Sequence, residues 1–188
     1  MSTSIDELDV EREPGPPPSG KFYGKYRGTV VNNIDPLQIG RIMVIVPDVL
    51  NVTPGSWALP CVPVAGIQMG MFTVPPPGAG VWVEFEQGDP DFPIWVGCFW
   101  GTMAEVPLNA KLVPPGIPAV SITTVLQNGI TISDMPPTPL TGGVILKSPT
   151  NAMIVVNDAG IFIQNGKGAS IMLVGPSVLI NNEALVVT

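Results

Sequence analysis

The chain has 188 residues, with 15 acidic and 8 basic side chains, a formal net charge of −7 and no histidine. That balance excludes ordinary binding to a phosphate backbone, which needs clustered Lys and Arg, and the missing histidine removes the commonest general base and metal ligand. Only 12% of the residues are charged against 45% hydrophobic, so a monomer of this size has more apolar surface than it can hide.

A membrane span is one way to absorb that surplus, and its candidate is the uncharged run from Pro60 to Val83. Pro75, Pro76 and Pro77 lie inside it. A spanning helix must satisfy its own backbone, which a triple proline prevents. Self-association is therefore the expected outlet. Cys61 and Cys98 form no pairing motif and read as free thiols.

In chain order, residues 1–20 carry Asp6, Glu7, Asp9, Glu11 and Glu13 against Arg12, a net of −4, and end in Pro-Gly-Pro-Pro-Pro-Ser-Gly. Such a segment cannot bury enough apolar surface to fold alone. It reads as a flexible acidic tail, either a docking segment or a solvated leader, without the pattern of a signal peptide. Residues 21–101 read as all-β, with five short strands and no helical period. The strands are centred on Gly28 to Val31, on Ile42, Val44 and Val46, on the proline-interrupted "SWALPCVPVAG", and on the two arms of "VWVEFEQGDPDFPIWVG". Five strands in so short a span suit a small closed barrel of the OB type. In the bend between the last two, Asp89 stands between Gly88 and Pro90, where a carboxylate fixes a turn. Glu84 and Glu86 alternate with Val83 and Phe85 and share one face; they read as an exposed or partner-facing edge, not as a glycosidase pair.

Residues 102–119 form a proline-rich linker, and residues 120–188 change rhythm. Short apolar alternations follow one another at Ile130 and Ile132, Val144 and Leu146, Ile154 and Val156, Ile161 and Ile163, Ile171 and Leu173, Val178 and Ile180, and Leu185 and Val187. Asn157-Asp158, Asn165-Gly166, Gly175-Pro176 and Asn181-Asn182 separate the later ones. Strands of three to five residues joined by tight turns fit a β-helix or solenoid, with a sheet of short hairpins as the alternative. Stacked or intertwined identical chains would close the edges and bury the stripe.

Taken together, "GKYRGTVVNNIDPLQIGRIMVIVPDV", "WALPCVPVAG", "PPPGAGVWVEFEQGDPDFPIWVG" and "CFWG" resemble the OB domain of phage baseplate spike proteins (baseplate assembly protein V). The matching positions are Gly40-Arg41, Trp57 to Pro60, Pro77 to Gly80, Val81 to Phe85, Gly88-Asp89-Pro90, Pro93 and Gly97. The resemblance implies an all-β chain, a five-stranded OB barrel followed by a trimeric β-helix or β-prism needle. The needle core would be Ile130, Ile132, Ile154, Val156, Ile161, Ile163, Ile171, Leu173, Val178 and Ile180. It further implies a non-enzymatic homotrimer in a phage tail, contractile injection particle or type VI secretion-like machine. That trimer would bind a baseplate hub protein, pierce the target envelope transiently and bind no nucleic acid. Some relatives carry a lysozyme-like insert, for which residues 102–119 leave no room, or a His-x-His iron site at the apex. With no histidine here, no metal or cofactor is expected. A separate proline-alanine-alanine-arginine (PAAR) type tip protein is implied instead, docking on Leu185, Val186, Val187 and Thr188. The competing expectations are an OB-fold nucleic-acid binder stacking bases on Tyr23, Tyr26 and Trp57, and a carbohydrate-active β-helix protein. The charge opposes the first, and the lack of a nucleophile–base pair opposes the second.

Overall fold

The structure, a computed structural model, describes residues 20–50, 55–135, 142–182 and 184–187. The chain divides into two compact units, Met1–Gly101 and Thr102–Thr188.

The first unit holds β1 (Tyr26–Asn32), β2 (Ile42–Ile45), a single helical turn α1 (Pro47–Leu50), β3 (Trp57–Pro60), β4 (Ala65–Gly66), β5 (Met69–Gly70), β6 (Gly80–Phe85) and β7 (Pro93–Phe99). Five strands close into a barrel in the order β1-β2-β3-β7-β6, and β4 pairs with β5 in a separate hairpin. All barrel pairs are antiparallel except β3 with β7. Alternation builds the interior. Val81, Val83 and Phe85 of β6 point inward to meet Val30, Ile42, Val44, Val46, Ala58 and Trp95, all buried. Irregular register at Val30/Asn32 and at Trp82/Val83 supplies the bends that let short strands curl into a small barrel. The five expected strands are all present. The proline-interrupted third one ends at Pro60, and the residues after it form the β4–β5 hairpin.

The second unit begins with a 3₁₀ turn (Met103–Glu105) and α2 (Leu108–Lys111), inside the segment expected to be a plain linker. Eight strands follow: β8 (Ala119–Thr123), β9 (Gly129–Ser133), β10 (Gly143–Lys147), β11 (Ala152–Asn157), β12 (Gly160–Asn165), β13 (Ser170–Val174), β14 (Ser177–Ile180) and β15 (Leu185–Val187). They form one sheet in chain order, each strand antiparallel to the next. Within one chain the short repeat is thus a meander of hairpins and not a stack of solenoid coils. The polar spacers make the turns. Asn157 Oδ1 accepts from the amides of Ala159 and Gly160 at 3.0 and 3.2 Å, and Asn165 Oδ1 from Lys167 and Ala169 at 2.8 and 3.1 Å. An asparagine side chain thereby stands in for the backbone in each reversal. Among the described residues, no helix is long and apolar enough to cross a membrane.

Candidate interaction face

Strand register turns the scattered alternations of the second unit into two continuous rows. One runs Val120, Ile132, Val144, Val156, Ile161, Leu173, Val178, with the backbone register carrying it to Val187. The other runs Ile122, Ile130, Leu146, Ile154, Ile163, Ile171, Ile180, Leu185. Each strand contributes residues i and i+2, so both rows lie on one face. Seven inter-strand steps of about 4.8 Å make the stripe about 34 Å long. Most of it stands open to solvent in the single chain, from 37% exposed at Ile161 to 56% at Val120, while Val178 and Ile180 of β14 are half-buried. Between the rows, on the opposite face, Thr131, Ile145 and Val155 are buried. The unit has therefore covered part of the side with less aliphatic surface and left most of the aliphatic side bare. The outermost strands, β8 and β15, each have a single neighbour in the sheet. Asn157 Nδ2 and Ser170 Oγ are buried without a partner among the described residues, which is uncommon in a finished interior.

The ten residues expected as a needle core all fall in these two rows, and the rows extend beyond them to β8 and β10. Leu185 to Val187 form the edge strand β15. Thr188 lies outside the described residues, as does the acidic tail through Ser19.

In the barrel, the signature positions sit at chain reversals and close contacts. Gly40 is buried with φ +83, and its carbonyl accepts from Trp95 Nε1 at 3.1 Å. Arg41 makes a two-pronged contact with Asp35 Oδ1, at 3.0 Å from Nε and 2.7 Å from Nη2, and its guanidinium lies 5.3 Å from the centre of the Trp57 ring. Pro60 ends β3 opposite Trp95. The turn from Pro77 to Gly80 is clamped to β1 by Gly78 N donating to the Val30 carbonyl and Val30 N to that of Ala79, at 2.8 and 3.0 Å. Gly97 lies opposite Trp82 at the irregular step of β6–β7.

The Gly88-Asp89-Pro90 bend is a structural device. Gly88 takes φ +74 and its carbonyl accepts from Phe22 N at 2.8 Å. Asp89 Oδ1 accepts from Asp91 N at 3.1 Å, and Oδ2 faces Lys21 Nζ at 3.4 Å. The amide of Asp91, and then Lys21, hold the Asp89 carboxyl below the usual carboxylate range. Pro93 is fully buried at the start of β7. Glu84 pairs with Lys25, and Glu86 opens the 3₁₀ turn that follows β6.

Sequence reasoning missed Asp35. Besides Arg41, its carboxylate accepts from the amides of Leu37, Ile39 and Arg41 at 3.0, 2.9 and 3.2 Å. The Arg41 guanidinium, with these amides, holds the group far below an ordinary aspartate. The available signal was an Asp-Pro step five residues ahead of Gly-Arg.

No curated protein matches the chain. Two family models do. One, described as a type VI secretion system/phage-baseplate injector OB domain, matches residues 26–100 and so covers the closed barrel. The other, described as a phage baseplate V C-terminal trimerisation domain, matches residues 119–186 and so covers the striped sheet. With barrel and sheet both accounted for in this order, the chain belongs to the phage baseplate V family.

Proposed function

We propose that this chain is the structural central spike of a contractile-tail or injection-system baseplate, working as a homotrimer. The observation that carries the reading is the pair of unbroken aliphatic rows that cross eight strands and stand largely bare in one chain, within the region matched as a trimerisation domain. Three such sheets with their stripes turned to a common axis form a β-prism needle with a dry aliphatic core. An interface of that extent is of the large, obligate kind. The two open sheet edges are then available to pair between copies.

In this reading residues 1–20 are a tail that contacts partners, 21–101 the OB collar, 102–119 the connection and 120–188 the needle. The role is mechanical. The collar seats on a baseplate hub protein, and the needle transmits axial force when a sheath contracts and crosses the target envelope. The edge strand β15, with Leu185, Val186, Val187 and Thr188, is the docking surface for a PAAR-type tip protein. No cofactor takes part.

Light scattering on the full chain tests the central claim: the mass should be three times 19.7 kDa at micromolar concentration, and a dispersed monomer overturns it. For the tip, Val187→Asp should abolish co-purification of a PAAR-type protein while the trimer persists; equal recovery with wild type removes the docking surface from the proposal.

A further inference from the structure

The stretch between β3 and β6 is another place where apolar surface is left uncovered, and the needle does not account for it. From Pro60 to Val83 there is no charged residue. The β4–β5 hairpin carries Ile67 at its tip, 98% exposed, flanked by Met69 at 62% and Phe72 at 70%. Its shape is fixed. Gln68 takes φ +56 in the two-residue turn, and Met71 N donates to the Val64 carbonyl at 3.1 Å. A β-carbon on Gly70 would stand 2.8 Å from that same carbonyl oxygen, so the two arms approach closely by design of the sequence. At the root of the hairpin is a cleft of about 400 Å³, with Ile39, Gly40 and Pro60 on one side and Met69, Met71 and Phe72 among the residues of the hairpin arm that wall the other. Met69 and Phe72 form part of the wall of this cleft, whereas Ile67 at the tip does not line it and stands free beside it.

We infer that this hairpin is a clasp between copies: Ile67 of one protomer seats in the Ile39–Phe72 cleft of the next around the three-fold. The inference rests on the trimer reading above. A knob and a different hole make a head-to-tail contact, which closes into a ring only if the rotation is set and otherwise propagates into fibres; a trimerisation domain on the same chain sets it at three. The occupant is another copy because of charge. Residues 21–101 carry six acidic and four basic side chains, a net of −2, so identical collars held together by the trimerisation domain meet with least repulsion where charge is absent, and this hairpin lies in the longest such stretch. The contact need not be large. Tethering by the second unit makes it effectively intramolecular, so a patch too small for a free-standing dimer suffices.

The test uses two differently tagged full-length chains, co-expressed in a Cys61→Ser, Cys98→Ser background, one with Ile67→Cys and the other with Ile39→Cys. Light scattering first establishes the mass. Mild oxidation should then give a covalent mixed dimer on a non-reducing denaturing gel. A trimeric mass without that band, or with a band from Ile67→Cys chains alone, overturns the clasp and leaves the trimer standing. A monomeric mass overturns both. As a second arm, hydrogen exchange of residues 64–72 should be slow in the wild-type trimer and should lose that protection in Ile67→Asp at unchanged mass. Equal exchange in the two proteins overturns the clasp. Protection that arises only on adding phosphatidylcholine vesicles also overturns it, assigning the hairpin to a membrane.

Discussion

Asp35 is the residue on which the β1–β2 loop closes. One carboxylate accepts three backbone amides and both prongs of Arg41, and Arg41 in turn covers the Trp57 ring. A bidentate, stacked arginine is not replaceable by lysine. The carboxylate's folded pKa is depressed, chiefly by Arg41. Its contribution to stability is therefore complete above the unfolded value of about 3.9 and is lost as pH falls through the lower folded value. Asp35→Asn should lower the melting temperature of the barrel near neutral pH, and should flatten its fall below about pH 4, read by tryptophan fluorescence. Arg41→Lys should lower the melting temperature as well. An acid limb as steep in the Asn variant as in wild type would move the linkage to Asp89, the other carboxylate held low. The sequence displayed Gly40-Arg41 and Gly88-Asp89-Pro90 because glycine and proline announce backbone geometry. Asp35 announced only a turn, since its partners are decided by how the loop closes and no spacing encodes that.

At the level of elements, alternation located the barrel strands and most of those in the sheet, because period two survives in short segments. It did not distinguish a coil from a hairpin. Both use strands of this length with Asn and Gly at the corners, and the choice lies in which backbone pairs with which. Asn157 facing Gly160 and Val174 facing Ser177 are two-residue reversals, and those make a meander. The glycines that begin strands report the same tightness. Gly160 takes φ +149, and a β-carbon there would fall 2.1 Å from the Leu173 carbonyl oxygen. Backbone cannot step aside as a side chain does. Gly160→Ala should therefore cost the second unit on the order of 2 kcal/mol or more, seen as a lower melting temperature by circular dichroism, whereas Lys167→Ala on the next turn should leave it unchanged. A wild-type melt for Gly160→Ala would mean that β12 shifts register without penalty. The β4–β5 hairpin was illegible for a different reason: four proline and glycine interruptions read as the end of a strand, and the exposed tip carries no polar turn residue except Gln68.

For the whole molecule, the decisive quantity is how the aliphatic stripe is covered. Its centre is the directly opposed pair Ile154 and Ile163, 38% and 39% exposed in one chain. A carboxylate placed there would, in a three-fold assembly, put three like charges around one axis and strip them of water. Burying unpaired charge is strongly unfavourable, and the like-charge neighbours add to it. Ile163→Asp should therefore convert the proposed trimer to smaller species or aggregate at neutral pH, while Ile163→Leu, of equal volume, should keep the wild-type mass. The sign with pH follows. Desolvation and the two neighbouring carboxylates raise the pKa of each introduced Asp above its unfolded value, so the neutral form is the one compatible with assembly. Acidifying the variant should restore trimeric mass part of the way, opposite in direction to the acid weakening expected from Asp35. Light scattering across pH reads both limbs. Lys167→Asp, which adds the same charge change or more on an exposed turn, should stay trimeric throughout. If Ile163→Asp remains a trimer at neutral pH with an unaltered melt, the bare stripe is not where the copies meet.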